Sequence, residues 1–257
     1  MSNLPKNFRQ KIHKGVFTSQ TAGLCPGYAQ GNLVVLPREY AFEFLLFAQR
    51  NPKACPLLEV VESGKFLTRT ASGESVTTAI PKYRVYREGV LDQEMSSIDH
   101  LWQDDFVTFI LGCSFTFESA LVDENILMRH IEDNKNVAMY ETTLPCRPAG
   151  IFKGTMVVSM RPIKYTEVMK VIKITSHYSA VHGAPVHIGN PEAIGIYDLK
   201  HPDFGEFVEV KDDEVPVFWA CGVTPQAIAM KVKPSLMISH APGHMLITDI
   251  ANFTLKE

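Results

Sequence analysis

No apolar run in this chain approaches the roughly 20 residues that a membrane-spanning helix needs. The longest mostly apolar stretches, 42–48 and 106–112, are far shorter. The opening MSNLPKNFRQKIHKG is polar and lacks the apolar centre of a secretory signal. Neither a Gly-x-Gly-x-x-Gly fingerprint nor a Walker loop occurs, so nothing predicts nucleotide binding. An excess of one charge is also missing. Lys and Arg number 25 against 28 Asp and Glu, and the net charge of -3 gives no electrostatic case for nucleic acid or an anionic membrane. The five cysteines are an odd count and none forms a Cys-x-x-Cys, so neither a zinc ribbon nor a dithiol redox motif is present. A reducing, cytoplasmic compartment fits this usage. No cofactor motif is found, and no metal is expected.

What remains is a chain of 257 residues, 46% hydrophobic and 21% charged, which is enough for a sizeable packed core. Gly and Pro punctuate it. Residues 38–51 read as a buried helix, ended by Asn51-Pro52. Strands are predicted over 57–61 and 106–111, and a hairpin around Glu88-Gly89. Helices follow over 116–123 and 165–175, with strands at 136–143 and 156–160, the latter ended by Arg161-Pro162. Asn190-Pro191 opens another helix. The run 217–220 reads as a buried strand, and Thr224-Pro225 supplies a helix N-cap followed by a proline at the first helical position. No internal repeat is visible.

Three apolar stretches meet a small-residue break and a helix start, at Cys113, Asn190 and Cys221. Helix N-termini present free N–H groups and positive potential, which suits a small anion. They also lower a thiol pKa, so Cys113 and Cys221 are candidate reactive groups, or else small residues at tight turns. His182, His187, His240 and His244 form two loosely spaced pairs, suited to proton transfer, to metal binding or to structural hydrogen bonds. Arg147 and Arg161 each precede a proline and can grip a carboxylate, or stand as surface charges. Glu118 and Asp249 are candidate acid–base groups or structural hydrogen-bond acceptors. Ser114 and Thr224 add hydroxyls at two of the helix starts.

Eight segments, TAGLCPGYAQGNLVVLP, FEFLLFAQRNPKACPLLEV, PKYRVYREGVL, FILGCSFTFESAL, LPCRPAGIFKGTMVVSMRP, AVHGAPVHIG, VPVFWACGVTPQ and ISHAPGHMLITD, resemble the D-glutamate cyclase family over about residues 10–250. The resemblance implies an α/β protein of two intimately joined subdomains and a carbon–oxygen lyase of the hydro-lyase class. The family activity it brings is conversion of D-glutamate to 5-oxo-D-proline and water. It assigns no residue roles.

The expected fold is therefore α/β, with a three-layer α/β/α core in a discontinuous main domain, 1–103 and 178–257. A smaller two-layer α/β sandwich, 104–177, is inserted in it. His182, His187, Cys221, His240, His244 and Glu118 are the catalytic candidates. Cys113, Ser114, Arg147, Arg161, Thr224 and Asp249 are the substrate-binding ones. The expected partner is a small-molecule acid, with neither nucleic acid nor membrane, and a homo-oligomer is compatible with the sequence. A non-catalytic carboxylate-binding protein and a metal-dependent amide hydrolase are the alternatives.

Overall fold

Along residues 28–37, Val34 and Leu36 enter one apolar cluster while Leu33 and Val35 enter another. A strand that is apolar on both faces must run inside the protein. In the computed structural model, which describes residues 4–256, this stretch is the middle of the larger of two sheets. In chain order the elements begin with α1 (Pro5–His13), β1 (Tyr28–Pro37), α2 (Arg38–Arg50), β2 (Leu57–Val61), β3 (Tyr83–Arg87) and β4 (Val90–Met95). Next come β5 (Phe106–Gly112), α3 (Phe115–Asp123), α4 (Arg129–Glu132), β6 (Met139–Pro145), β7 (Thr155–Lys164) and α5 (Val168–Ser176). The rest are β8 (His187–Ile188), β9 (Glu214–Ala220), α6 (Thr224–Val232), β10 (Met237–His240) and β11 (Leu246–Ala251).

The fold is mixed α/β, with every registered strand pair antiparallel. The seven-stranded sheet runs β2-β5-β1-β10-β3-β4, with β11 also paired to β1. The four-stranded sheet runs β6-β7-β9-β8. Two features cut across the sequence expectation. Strand β5 lies within 104–177 yet pairs with β1 and β2, while β9 lies outside that span yet pairs with β7. Strand β7 also does not end at Arg161-Pro162. Its pairing with β6 stops at Ser159, so the edge beyond has no strand to which Pro162 would owe an N–H, and Pro162 sits opposite Pro216 of β9.

The two sheets share one plan. β1 runs directly into α2, and β7 into a 3-10 turn (Tyr165–Glu167) and α5. β5 pairs with β1 as β9 pairs with β7. The Cys113 N–H donates to the Gln30 carbonyl at 3.0 Å, and the Cys221 N–H donates to the Val157 carbonyl at 3.0 Å. Threonine hydroxyls close both loops. The Gln30 N–H donates to Thr116 Oγ1 at 3.1 Å, and the Val157 N–H to Thr224 Oγ1 at 3.0 Å. Each unit then crosses over: β6 follows α3 and the short α4 but pairs with β7, while β10 and β11 follow α6 but pair with β1. So the chain does contain a repeat, with its last strands exchanged. It is hidden in the sequence because the matched junctions, GCSFTFE at 112–118 and ACGVTPQ at 220–226, share only a cysteine and a threonine.

Candidate active site

The exchange brings Cys113 and Cys221 into one buried cluster with Phe115, Val157, Val223 and Met245. Both thiols lie at helix starts, as the sequence indicates, but neither is activated there. The Phe115 N–H turns to the Cys113 sulfur and the Val223 N–H to the Cys221 sulfur. Burial outweighs these contacts, pushing Cys221 up to about 11 and Cys113 well above the ordinary thiol range. Desolvation of the thiolate therefore defeats the helix-start effect. Thr224 does not cap α6 either. Its hydroxyl is bonded across to Val157, and Val223 takes the cap position.

The two units part at Glu118 and Gln226, which stand two residues beyond the paired threonines, each buried. In the second unit Gln226 Nε2 donates to His240 Nδ1 at 3.1 Å and to the His240 carbonyl at 2.9 Å. The Leu33 N–H and carbonyl also meet that Nδ1, at 3.1 and 3.3 Å. In the first unit the corresponding position carries a charge. Arg161, 1% exposed, donates from Nε to Glu118 Oε1 at 2.8 Å, and its NH2 group contacts the same oxygen. Two further donors reach Ser159 Oγ and Ser114 Oγ, each at 3.0 Å. The guanidinium lies 5.5 Å from the Phe117 ring centre and 5.4 Å from that of Trp219. His130 Nε2 completes the group, 3.2 Å from Glu118 Oε1, with its ring stacked on Phe115. Burial opposes ionisation of Glu118, but attraction to His130 and Arg161 outweighs it and holds the carboxyl at about 2. The strand position of Arg161 pairs with Val217, and the matching position of the first unit, paired with Phe109, is the core residue Val34. The ionic centre is thus built across the two units, Glu118 from the first and Arg161 from the second, and the equivalent pair, Gln226 and Val34, carries no charge.

Glu118 lines a cleft of about 280 Å³ between α3 and the 23–28 loop. A second cleft, about 460 Å³, is lined by His130 and His244, and both clefts touch Ile131. A third, about 590 Å³, holds Lys82, Arg84, Glu94, Asn136 and again His244. Burial lowers the His244 pKa, and its Nδ1 is bonded to the Pro242 carbonyl at 3.0 Å.

The remaining sequence candidates are scattered. His182, in a left-handed conformation at φ 83°, donates from Nδ1 to the Lys53 carbonyl at 2.8 Å. Burial depresses both His182 and His240 to about 4, so each is neutral at pH 7. His187 bonds the Asn190 carbonyl at 2.6 Å and leans on Phe218. Arg147 is exposed, its backbone tied to Asn51. Asp249 is engaged by Arg9 at 2.9 and 3.0 Å and by Ser72. Among the described residues, no group of three or more His, Cys, Asp or Glu side chains is arranged to hold a metal ion. Nor is any helix long and apolar enough to cross a membrane. Sequence reasoning passed over His130, Gln226, Gln30 and Asn252. His130 and Asn252 lie outside the eight segments, Gln30 and Gln226 stand in two of them as plain amides, and each matters only through what it meets.

Fold and site together define a mixed α/β protein of two strand-exchanged units around one buried ionic centre. The chain belongs to the D-glutamate cyclase family, whose profile matches residues 107–249. It is 54% identical over 253 residues, 98% of this chain and 97% of the relative, to the "Putative hydro-lyase" of Clostridium beijerinckii. It is 55% identical over 252 residues, 98% of each chain, to a similarly named protein of Bacillus subtilis. Among solved structures, a nitrogen repressor-like protein of Methanococcus jannaschii overlays with a TM-score of 0.42 at 10% identity, covering 94% of this chain and 93% of that one. The family match spans both junctions and the Glu118–Arg161–His130 group, while Gln30 and Asn252 fall outside it.

Proposed function

We propose that this protein is a carbon–oxygen lyase that closes D-glutamate to 5-oxo-D-proline with loss of water. In that reaction the amine nitrogen bonds to the side-chain carboxyl carbon and one carbon–oxygen bond breaks. The two protons shed by the ammonium leave with that oxygen as water. The observation that carries the reading, beside the family, is the buried Glu118–Arg161–His130 group at the wall between two clefts. Glu118, held ionised at about 2, complements a positive ammonium and is not a proton donor near neutrality. His130, whose Nε2 lies 3.2 Å from Glu118 Oε1, carries protons from nitrogen to oxygen in this reading. Arg161 acts through Glu118, since four of its five N–H donors are taken by protein oxygens. Cys221 has no role in this scheme, because its thiol is buried and protonated.

The test is incubation of the purified protein with D-glutamate and L-glutamate, with 5-oxoproline followed by chiral chromatography. D-selective product is expected, with kcat lowered about 10²-fold or more in His130→Gln. Absence of product from D-glutamate and from related small amino acids would sink the proposal.

A further inference from the structure

Three residues that line the smallest of these clefts, Gln30, Glu118 and Asn252, each carry a buried side-chain oxygen with no hydrogen-bond donor: Oε1, Oε2 and Oδ1. Their residues are 2%, 2% and 6% exposed. Such atoms cost free energy when left unpaired. Reversing either amide does not help, because each nitrogen is already committed to an acceptor. Gln30 Nε2 donates to the Thr21 carbonyl at 2.8 Å and to that of Leu24 at 3.3 Å. Asn252 Nδ2 donates to the Thr116 carbonyl at 2.7 Å and to Ser119 Oγ at 3.0 Å. Thr116 ties the set together, since its hydroxyl accepts from the Gln30 N–H and its carbonyl from Asn252. Glu118 lies two residues on, in the same helix.

We infer that the cleft beside the 23–28 loop is a subsite for the primary ammonium group of a small amino acid, received by Gln30, Glu118 and Asn252. An ammonium brings three donors and one positive charge, against three empty acceptors, one of them a carboxylate oxygen. An anionic group brings no donor to these oxygens and would meet the Glu118 carboxylate. The cleft, about 280 Å³, has room for a small molecule. The inference rests on the same Glu118 wall as the proposed cyclisation and adds the two amides that would hold the reacting nitrogen.

The test is calorimetric titration of the wild-type protein with D-glutamate, 4-aminobutanoate and glutarate, in sodium buffer and again with added potassium. Both amines are expected to bind, and glutarate, which has the carboxylates but no amine, at least about 10-fold more weakly. Asn252→Leu and Gln30→Leu, checked for folding by thermal melting, should each weaken the amines about 10-fold and leave glutarate unchanged. Equal binding of glutarate and D-glutamate would overturn the inference, leaving the three oxygens to ordered water. Displacement of the amines by millimolar potassium would overturn it in favour of a monovalent cation site. Turnover of D-glutamate with KM unchanged in Asn252→Leu would remove this subsite and keep the cyclase. Amine-selective binding without turnover would do the reverse.

Discussion

Replacing Arg161 by Met is the sharpest probe of the ionic centre. The guanidinium makes bonds to Glu118, Ser159 and Ser114 and packs between Phe117 and Trp219. Methionine retains an apolar body for the ring contacts but leaves the Glu118 charge buried, with only His130 beside it. Removing one member of a buried pair typically costs about 3–5 kcal/mol, because the stranded charge has lost its compensation. Against a total stability of about 5–15 kcal/mol, that is a large fraction. Glu118→Gln alone strands the arginine instead and should cost a similar amount. The double variant strands neither charge, so its cost should fall short of the sum by about 2–3 kcal/mol. Urea unfolding at pH 7, with unchanged m-values, reads all three. A pH series adds a second arm. In the wild type the folded Glu118 pKa, about 2, lies below its ordinary 4.5, so its contribution is present above 4.5 and lost as pH falls toward 2. Without Arg161 burial raises that pKa, so the deficit of Arg161→Met should shrink as pH falls. A cost below about 1 kcal/mol for Arg161→Met, or strict additivity in the double variant, would refute the reasoning.

Stability should also fall as pH drops from 6.5 to 4. Over that window the unfolded chain binds protons that the buried His182 and His240, held at about 4, refuse, at about 3 kcal/mol for each across the whole interval. Urea midpoints that do not change between pH 7 and pH 5 would contradict this. Cys113 and Cys221 should resist iodoacetamide at pH 7.5 in the folded protein and react once urea unfolds it, as peptide mass mapping would record; rapid labelling of the native state would contradict their burial. Gly112→Ala should lose about 1–3 kcal/mol, because the new methyl would sit 2.3 Å from the Ala180 carbonyl oxygen, which is backbone and cannot swing aside. A melting temperature within a degree of wild type would show that the contact relaxes.

Local patterning alone determined most of the elements. The apolar run at 106–111 becomes β5, the strand read at 57–61 is β2, Glu88-Gly89 turns the β3–β4 hairpin, and Thr224-Pro225 opens α6. These are legible because periodicity and turn residues act over a few neighbours. The partners of those elements were not legible. Nothing near Cys113 announces that β5 belongs with β1 while β6 belongs with β7, nor that Arg161 passes through a strand instead of ending one. Candidate residues fared likewise. Glu118, Ser114 and Arg161 were recognisable by type, but Arg161 finds a carboxylate inside the protein, whereas Arg147 remains in solvent. Residue type, spacing and the chance of a helix start are carried by the chain itself. Only the tertiary structure decided that His130 comes to Glu118, that Gln30 and Asn252 leave acceptors unpaired beside it, and that burial silences two well-placed thiols. Desolvation and charge pairing depend on atoms far apart in sequence, and folding alone sets those distances.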